Sequence, residues 1–535
     1  MSKIKLKEIA DAIREKDGTT EQIVANDFAA RIRAISGSEN LDAELNAQDE
    51  LLDRLETTIN IYPDTELNVE LPEVFGTATN IYNFQVNSDT ILFSCDVADS
   101  GLWVYTIGTK TWKQKYTSGY KWQYFQMVGN DCLIGSSITT SKGVLLYDDT
   151  TKTIEQKYAD YYGWSIFQVV GNNCLIISTT NTVGVLLYDG STKTIERKYT
   201  EGSDWEYFQI IGNDCLIGSD GSGILLYDDT AKTVNKIYSN DSKWQYFQVV
   251  GNDCLISSGL NSVLGILLYN GTTKTIEKIY TDGYGWRYFK VVGEDCLIGS
   301  GGSSNSGILL YSSSTKTIEQ IYTDAYNWRY FQIVGTHCLI MSGSSGYGIL
   351  LYNSVTKTVD KIYTSSSSYQ YFQMVGNDCL ITSSSSTNPP ILLYDSTTKT
   401  IESKYTGGNK WTVFQVVGED CLIVSSGTSS GVLLYDSITK TIGQKYTKNT
   451  GWTVFQVVGE DCLIVNSGST VGILLYNSTT KTVAMLYTSG KYDTFINDTN
   501  NNYYIESSDK NTNKLIIYYD SITKTAKLAK YNVEV

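Results

Sequence analysis

Apolar and polar positions along the chain follow two grammars. From residue 84 to the C-terminus, short apolar and aromatic runs are separated by clusters of Gly, Ser, Asn, Asp and Thr. The phrase Phe-Gln-Val-Val-Gly-Asn-Asp-Cys-Leu-Ile recurs throughout this stretch with small changes. Its phenylalanine stands at Phe84, Phe125, Phe167, Phe208, Phe247, Phe289, Phe331, Phe372, Phe414, Phe455 and Phe495, so eleven copies follow one another at spacings of 39–42 residues. One copy, residues 286–327, shows the internal order. WRYFKVVG is an apolar run and Gly-Glu-Asp a tight turn; CLIGS is a second run and GGSSNSG a loop; GILLY is a third run and SSSTK a turn; TIEQIYT alternates before the loop DAYN. Four strands joined by hairpin-length connections fit this pattern, and helical spacing is absent from it. A period of about 40–45 residues with four strands is that of a propeller blade, whose two apolar faces are buried only by stacking on neighbours. The expected fold is therefore all-β, a β-propeller of about eleven four-stranded blades, in one ring or two. A β-solenoid ranks second.

The first sixty residues follow the other grammar. Leu6, Ile9 and Ile13 share one helical stripe; DGTT breaks that helix, and Asn26 caps a second that carries Phe28, Ile32 and Ile35. After SGSEN, the positions Leu41, Leu45, Gln48, Leu52, Leu55 and Ile59 form a heptad seam with one polar break. So short a helix is marginal alone, which argues for self-association. The expected domains are a small α-helical anchor at 1–38, a short coiled-coil stalk at 39–62 and the repeat propeller at 63–535.

Composition supports this division and excludes several functions. Tyrosine is extreme at 41 residues, glycine numbers 45 and proline only 4, a mixture suited to pleated surfaces and turns. With 42 basic and 57 acidic residues the formal charge is −15, and no basic run stands ready for a phosphate backbone, so nucleic acid is not an expected partner. No apolar stretch has the length of a signal peptide core or a membrane span, so neither export by a standard signal nor membrane insertion is expected. There is no Ser/His/Asp constellation, phosphate loop or metal cluster, and His337 is the sole histidine; the reading is not an enzyme, with no cofactor and no metal.

The repeated side chains divide by role. Cys132, Cys174, Cys215, Cys254, Cys296, Cys338, Cys379, Cys421 and Cys462 each follow the marker Phe by seven residues, with Cys95 out of register. One cysteine per blade at one height cannot easily reach another, so these are expected as buried core thiols. The tyrosines that end Leu-Leu-Tyr and those that end the fourth strand are expected to pack. Trp122, Trp164, Trp205, Trp244, Trp286, Trp328, Trp411 and Trp452 stand three residues before the marker, with Tyr369 in one copy. Two readings stay open for them: plugs between blades, or apolar platforms for a sugar face. Connections after the first and third strands are nearly uniform (GND or GED; DDTTK or NSTTK). Those after the second and fourth vary, as in SSITTSKG, SDGSG and SGSSGYG. In a propeller both variable classes fall on one rim. That makes this rim, with Tyr284, Tyr326 and Tyr347 in its loops, the candidate ligand-binding surface together with the tryptophan series.

The stretch IADAIREKDGTTEQIVANDFAARIRAI with its Leu-rich sequel resembles a recurring module of tail-fibre and head-fibre proteins of phages that infect Gram-positive hosts. The resemblance covers about the first sixty residues. It implies a virion protein, made in the host cytoplasm, whose N-terminal helices attach to other virion proteins and whose distal domain meets host cell-surface glycan. A homo-oligomer, a trimer first, would follow from the stalk. The alternatives are a structural baseplate or capsid-decoration protein and a surface-polysaccharide depolymerase.

Overall fold

The computed structural model describes residues 72–529 apart from 77, 120, 137–142, 161, 179–183, 241, 259–263, 282–284, 302–306, 325–326, 384–389, 408–410, 426–430, 448–451, 453, 466–471, 488–491, 498–502 and 508–515. The expected anchor, the stalk seam from Leu41 to Ile59 and the boundary at residue 63 lie outside the described residues. A short helix, α1 (Glu73–Gly76), comes first, and its Phe75 is buried against Phe93, Trp103 and Trp112.

Among the described residues forty-four strands follow, in eleven four-stranded antiparallel sheets, each joining its strands in sequence order. The sheets span residues 81–116, 124–158, 164–199, 205–238, 244–280, 286–322, 328–363, 371–405, 411–446, 454–487 and 492–529, and are called sheets 1 to 11. The chain divides into two compact units, residues 1–241 with sheets 1–4 and residues 242–535 with sheets 5–11.

Turn chemistry explains why each repeat folds as it does. In sheet 2 the first hairpin turns on Gly129 and Asn130 alone. Gly129 has φ +61° while Asn130 does not turn positive, as in a type II′ turn, which demands glycine first. The second hairpin turns on Asp149–Lys152. The Asp148 carboxylate accepts the Thr150 and Thr151 amides at 2.8 and 3.1 Å, and the Lys152 amide donates to the Asp148 carbonyl at 2.8 Å.

Burial follows the strand order. The second and third strands are almost wholly buried, as at Asp131–Gly135, where all five residues are buried, while the fourth alternates with exposed positions. Period two sends successive side chains to opposite neighbours. In sheet 3, Cys174 and Ile176 pack back against Leu133 and Leu146 of sheet 2. Leu175 and Ile177 pack forward against Cys215 and Ile217 of sheet 4. The same arrangement recurs in unit 2, from the cluster joining sheets 5 and 6 to the one joining sheets 10 and 11. The cores thus lie between sheets. A single sheet has no core of its own, which is why the repeats come without linkers.

Candidate functional site: the two ends of the repeat

Antiparallel order places the connections after strands two and four at one end of each sheet, here called the loop end. Those after strands one and three lie at the other, the turn end.

At the loop end the tryptophans are enclosed. Trp122, Trp164, Trp244, Trp328 and Trp452 are 0% exposed, Trp205 and Tyr369 1%, and Trp286 and Trp411 2%. Seven of these indoles meet the fourth-strand tyrosine of the preceding sheet edge to face: Tyr116–Trp122, Tyr158–Trp164, Tyr199–Trp205, Tyr280–Trp286, Tyr322–Trp328, Tyr405–Trp411 and Tyr446–Trp452 lie 5.7–5.9 Å apart at 84–90°. In sheet 8 Tyr369 meets Tyr363 in the same way, at 6.0 Å and 77°. Indole N–H groups also tie the connection before them, Trp328 Nε1 to the Asp324 carbonyl at 3.2 Å and Trp411 Nε1 to the Gly407 carbonyl at 2.7 Å. A ring enclosed this far offers no face to a sugar. Of the two readings of the series, the plug describes this geometry.

Two bulges make the meeting of rings possible. Trp205 and Phe208 are three residues apart, which in a regular strand would put them on opposite faces. A register shift between Trp205 and Tyr207 returns both to the face that looks toward sheet 3. In sheet 3 a second shift, between Val185 and Leu186, turns Tyr199 away from the face of Ile195 and toward sheet 4. The tyrosine thus points forward, the tryptophan backward, and they meet.

Of the loop tyrosines expected to contact a ligand, Tyr347 is half-buried on the cluster between sheets 6 and 7, with its ring 6.4 Å from that of Trp328. Tyr284 and Tyr326 lie outside the described residues. Among the described residues of the loop end, Arg287 lies 5.7 Å from the centre of the Tyr288 ring and Arg329 4.9 Å from that of Tyr330. Arg287 also donates to the Gly301 carbonyl at 2.9 Å.

The turn end holds a polar system that the sequence reading passed over. The aspartate that opens the second strand has two duties. One oxygen ties the two hairpins of its own sheet: Asp131 accepts the Asp149 amide at 3.1 Å, Asp378 the Ser396 amide at 2.9 Å and Asp420 the Ser437 amide at 3.1 Å. The other reaches the following sheet. Asp131 accepts Tyr188 Oη at 3.3 Å, Asp253 Tyr311 Oη at 3.2 Å and Asp420 Tyr476 Oη at 3.0 Å. The turn lysine of the following sheet completes the seat. Lys193 pairs with Asp131 and Asp148 at 2.9 and 2.7 Å, Lys440 with Asp378 and Asp395 at 2.9 and 2.5 Å, and Lys481 with Asp420 and Asp436 at 3.2 and 2.6 Å. Lys316 pairs with Asp253, Lys357 with Asp295 and Lys524 with Asp461. These lysine hydrogen bonds hold the carboxyls of Asp148, Asp395 and Asp436 down at about 2.

These lysines adopt the left-handed conformation in all eleven turns, with φ of 51–59°. Glycine or asparagine would sit there without the penalty of about 1 kcal/mol that a long side chain incurs. At Lys193, Lys316, Lys357, Lys440, Lys481 and Lys524 the ammonium reaches the preceding sheet, a contact that glycine or asparagine could not supply.

All ten cysteines are free and buried. Burial pushes the Cys132, Cys296 and Cys421 thiols up to about 12, which leaves them protonated and inert. Among the described residues no group of His, Cys, Asp and Glu is placed to hold a metal ion, and no helix is long and apolar enough to cross a membrane.

No known protein family and no curated protein matches the sequence. Among solved structures, the extracellular domain of a putative one-component system from B. thetaiotaomicron is similar at 12% identity, over 85% of this chain and 72% of its own, with a TM-score of 0.23. The tricorn protease is similar at 12% identity over 83% of this chain, a match that spans only 53% of the protease, with a TM-score of 0.27. The computationally designed Ika8 protein is similar at 9% identity, over 61% of this chain and 95% of its own, with a TM-score of 0.31. At such values the likenesses carry no argument about what the chain binds.

Proposed function

We propose that the eleven sheets are the blades of a propeller and that the chain is a phage virion fibre or receptor-binding protein rather than an enzyme. In this reading the N-terminal residues attach to the particle and the loop end contacts host-surface glycan. The observation that carries it is the contrast between the two ends of otherwise near-identical sheets. The turn end repeats one aspartate–lysine pairing at six junctions between sheets, whereas the connections at the loop end differ in length and composition from copy to copy. Variation that packing does not demand is what a contact surface accumulates. The burial of the tryptophans moves the expected contact off the indoles and onto the loop residues, Tyr284, Tyr326, Tyr347 and their neighbours. Many similar weak contacts on one particle would add through avidity.

A glycan array and a host-cell binding assay with the full chain test this reading. Replacing Tyr284, Tyr326 and Tyr347 together by Ser is expected to reduce binding, with the circular-dichroism spectrum unchanged. Undiminished binding by the triple variant would remove these loops from the contact surface. Failure of the parent to bind any glycan or host cell would remove the proposed function.

A further inference from the structure

The seats at the turn end show what happens when the bridging aspartate is missing, and one of them is left incomplete. Sheet 3 has Asn173 in place of the aspartate, and sheet 4 compensates. Its turn carries Asp229, which accepts Asn173 Nδ2 at 2.7 Å and Tyr227 Oη at 2.7 Å and pairs with Lys232 at 2.7 Å. Sheet 1 also lacks the aspartate, and Asp149 of sheet 2 plays the same part, accepting Asn87 Nδ2 at 2.7 Å and pairing with Lys152 at 2.6 Å. In both places a carboxylate is restored.

Between sheets 7 and 8 it is not. The position is His337, the turn of sheet 8 has Ser396 where a compensating acid would stand, and the third strand of sheet 7 ends in Asn353 rather than aspartate. The duty within sheet 7 is taken over by Ser354, whose hydroxyl and amide donate to the Thr336 carbonyl at 2.7 and 3.2 Å. The duty toward sheet 8 has no substitute. His337 is 9% exposed, and its Nε2 is buried without a hydrogen-bond partner. Tyr394 is 0% exposed and its hydroxyl is buried and unpartnered. The hydroxyls of Tyr352 and Tyr519 also lack a hydrogen bond, but each feels the field of the preceding sheet's aspartate, Asp295 or Asp461. The acids near Tyr394 are Asp395 and Asp378 of its own sheet, and both are engaged by Lys440. Lys399 lies close enough to His337 to oppose a second positive charge there, alongside burial.

We propose that this seat binds a small carboxylate anion, which takes the place of the missing aspartate side chain between Tyr394, Lys399 and His337. The donor set fits. His337 Nδ1 lies 3.2 Å from Thr336 Oγ1; with the threonine hydroxyl donating to Nδ1, the neutral ring carries its proton on Nε2. The seat then offers three donors, a hydroxyl, an ammonium and an imidazole N–H, and sheet 7 brings no carboxylate to it. An ionised carboxylate is acceptor-only, and the neighbouring seats already show a carboxylate satisfying the tyrosine and the lysine together.

The sole histidine makes the test direct, because the imidazole of the full-length chain gives one set of carbon–proton resonances. Sodium acetate, titrated at constant ionic strength against sodium chloride, is expected to move that signal saturably and to raise the melting temperature by mass action. Lys399→Met is expected to weaken the acetate response about tenfold, as one charge-assisted contact is lost. His337→Asp supplies the carboxylate covalently; it is expected to melt higher than the parent without acetate and to gain nothing from it. An imidazole signal that acetate leaves unmoved overturns the proposal. So does an equal response to chloride, or an equal melting shift in parent and His337→Asp.

Discussion

The two ends of each sheet solve the same problem, holding one sheet to the next, with different materials. At the loop end the join is aromatic, a tyrosine and a tryptophan brought face to edge by two bulges. At the turn end it is ionic, an aspartate shared by a tyrosine and a lysine. The aromatic join holds the connections before it through backbone carbonyls, as at Asp324 and Gly407, and so fixes no side chain there. The ionic join recruits the turn itself, through Asp148 and Lys193 or their equivalents, which keeps the turn's length and its lysine fixed. Uniformity at one end and variety at the other follow from where each join takes its atoms.

Substitutions can break either end, and the largest effect is expected at the aromatic join. Trp286→Ala empties a seat lined by Val250, Leu255 and Ile266 of sheet 5 and should lower stability by about 3–5 kcal/mol, read from urea denaturation. A loss below about 1 kcal/mol would mean that the ring is not a plug. Next comes the ionic join. Asp420→Ala strips a partner at once from Tyr476, Lys481 and the Ser437 amide and should remove on the order of 2 kcal/mol. A smaller loss than that of an exposed ion pair would demote the turn end to decoration.

Acid should separate the ends without mutation. Asp148, Asp395 and Asp436 have carboxyls at about 2 in the fold against 3.8 when free. Because the folded value is the lower one, their charged forms stabilise the fold above 3.8, and that contribution disappears as the pH falls from there toward 2. The melting temperature should therefore drop through this window while the near-ultraviolet signal of the buried tryptophans persists longest. Loss of that signal first would reverse the order. The smallest effect is expected at the turn tips: Ile438 is 79% exposed, and Ile438→Thr should change stability by under about 0.5 kcal/mol.

Much of this architecture is legible in the sequence. Four strands per copy, buried cysteines in register and uniform turns opposite variable loops all follow from the period and the turn residues. The tryptophans stay ambiguous there because the Trp-x-x-Phe spacing, read as a regular strand, puts the indole on the face opposite the phenylalanine. Only the bulge between Trp205 and Tyr207 resolves it. The ionic seats are missed for another reason: their partners are 45 to 63 residues apart and sit in turns that look self-sufficient. A signal was nevertheless present. The turn reads Asp-Asp in sheets 2 and 4 alone, and both follow a sheet that lacks the second-strand aspartate. Correlated change between neighbouring copies of one chain marks a contact as surely as it would between relatives. The helical stretch from Leu6 to Ile59 remains a sequence expectation.

The seats also govern how such a gene can grow or shrink. A sheet that carries aspartate on its second strand and lysine in its turn is an interchangeable unit. It can be duplicated or lost between two others, and every neighbour still finds its counter-charge. Sheets 3 and 4 do not have that freedom. With Asn173 in one and its remedy, Asp229, in the next, a crossover falling between them strands one half of the repair and leaves the other carrying a surplus acid. The same holds for sheets 1 and 2 through Asn87 and Asp149. Inheritance should therefore treat these pairs as double-length modules and the aspartate-bearing sheets as single ones, so that changes in repeat number concentrate in the second half of the chain.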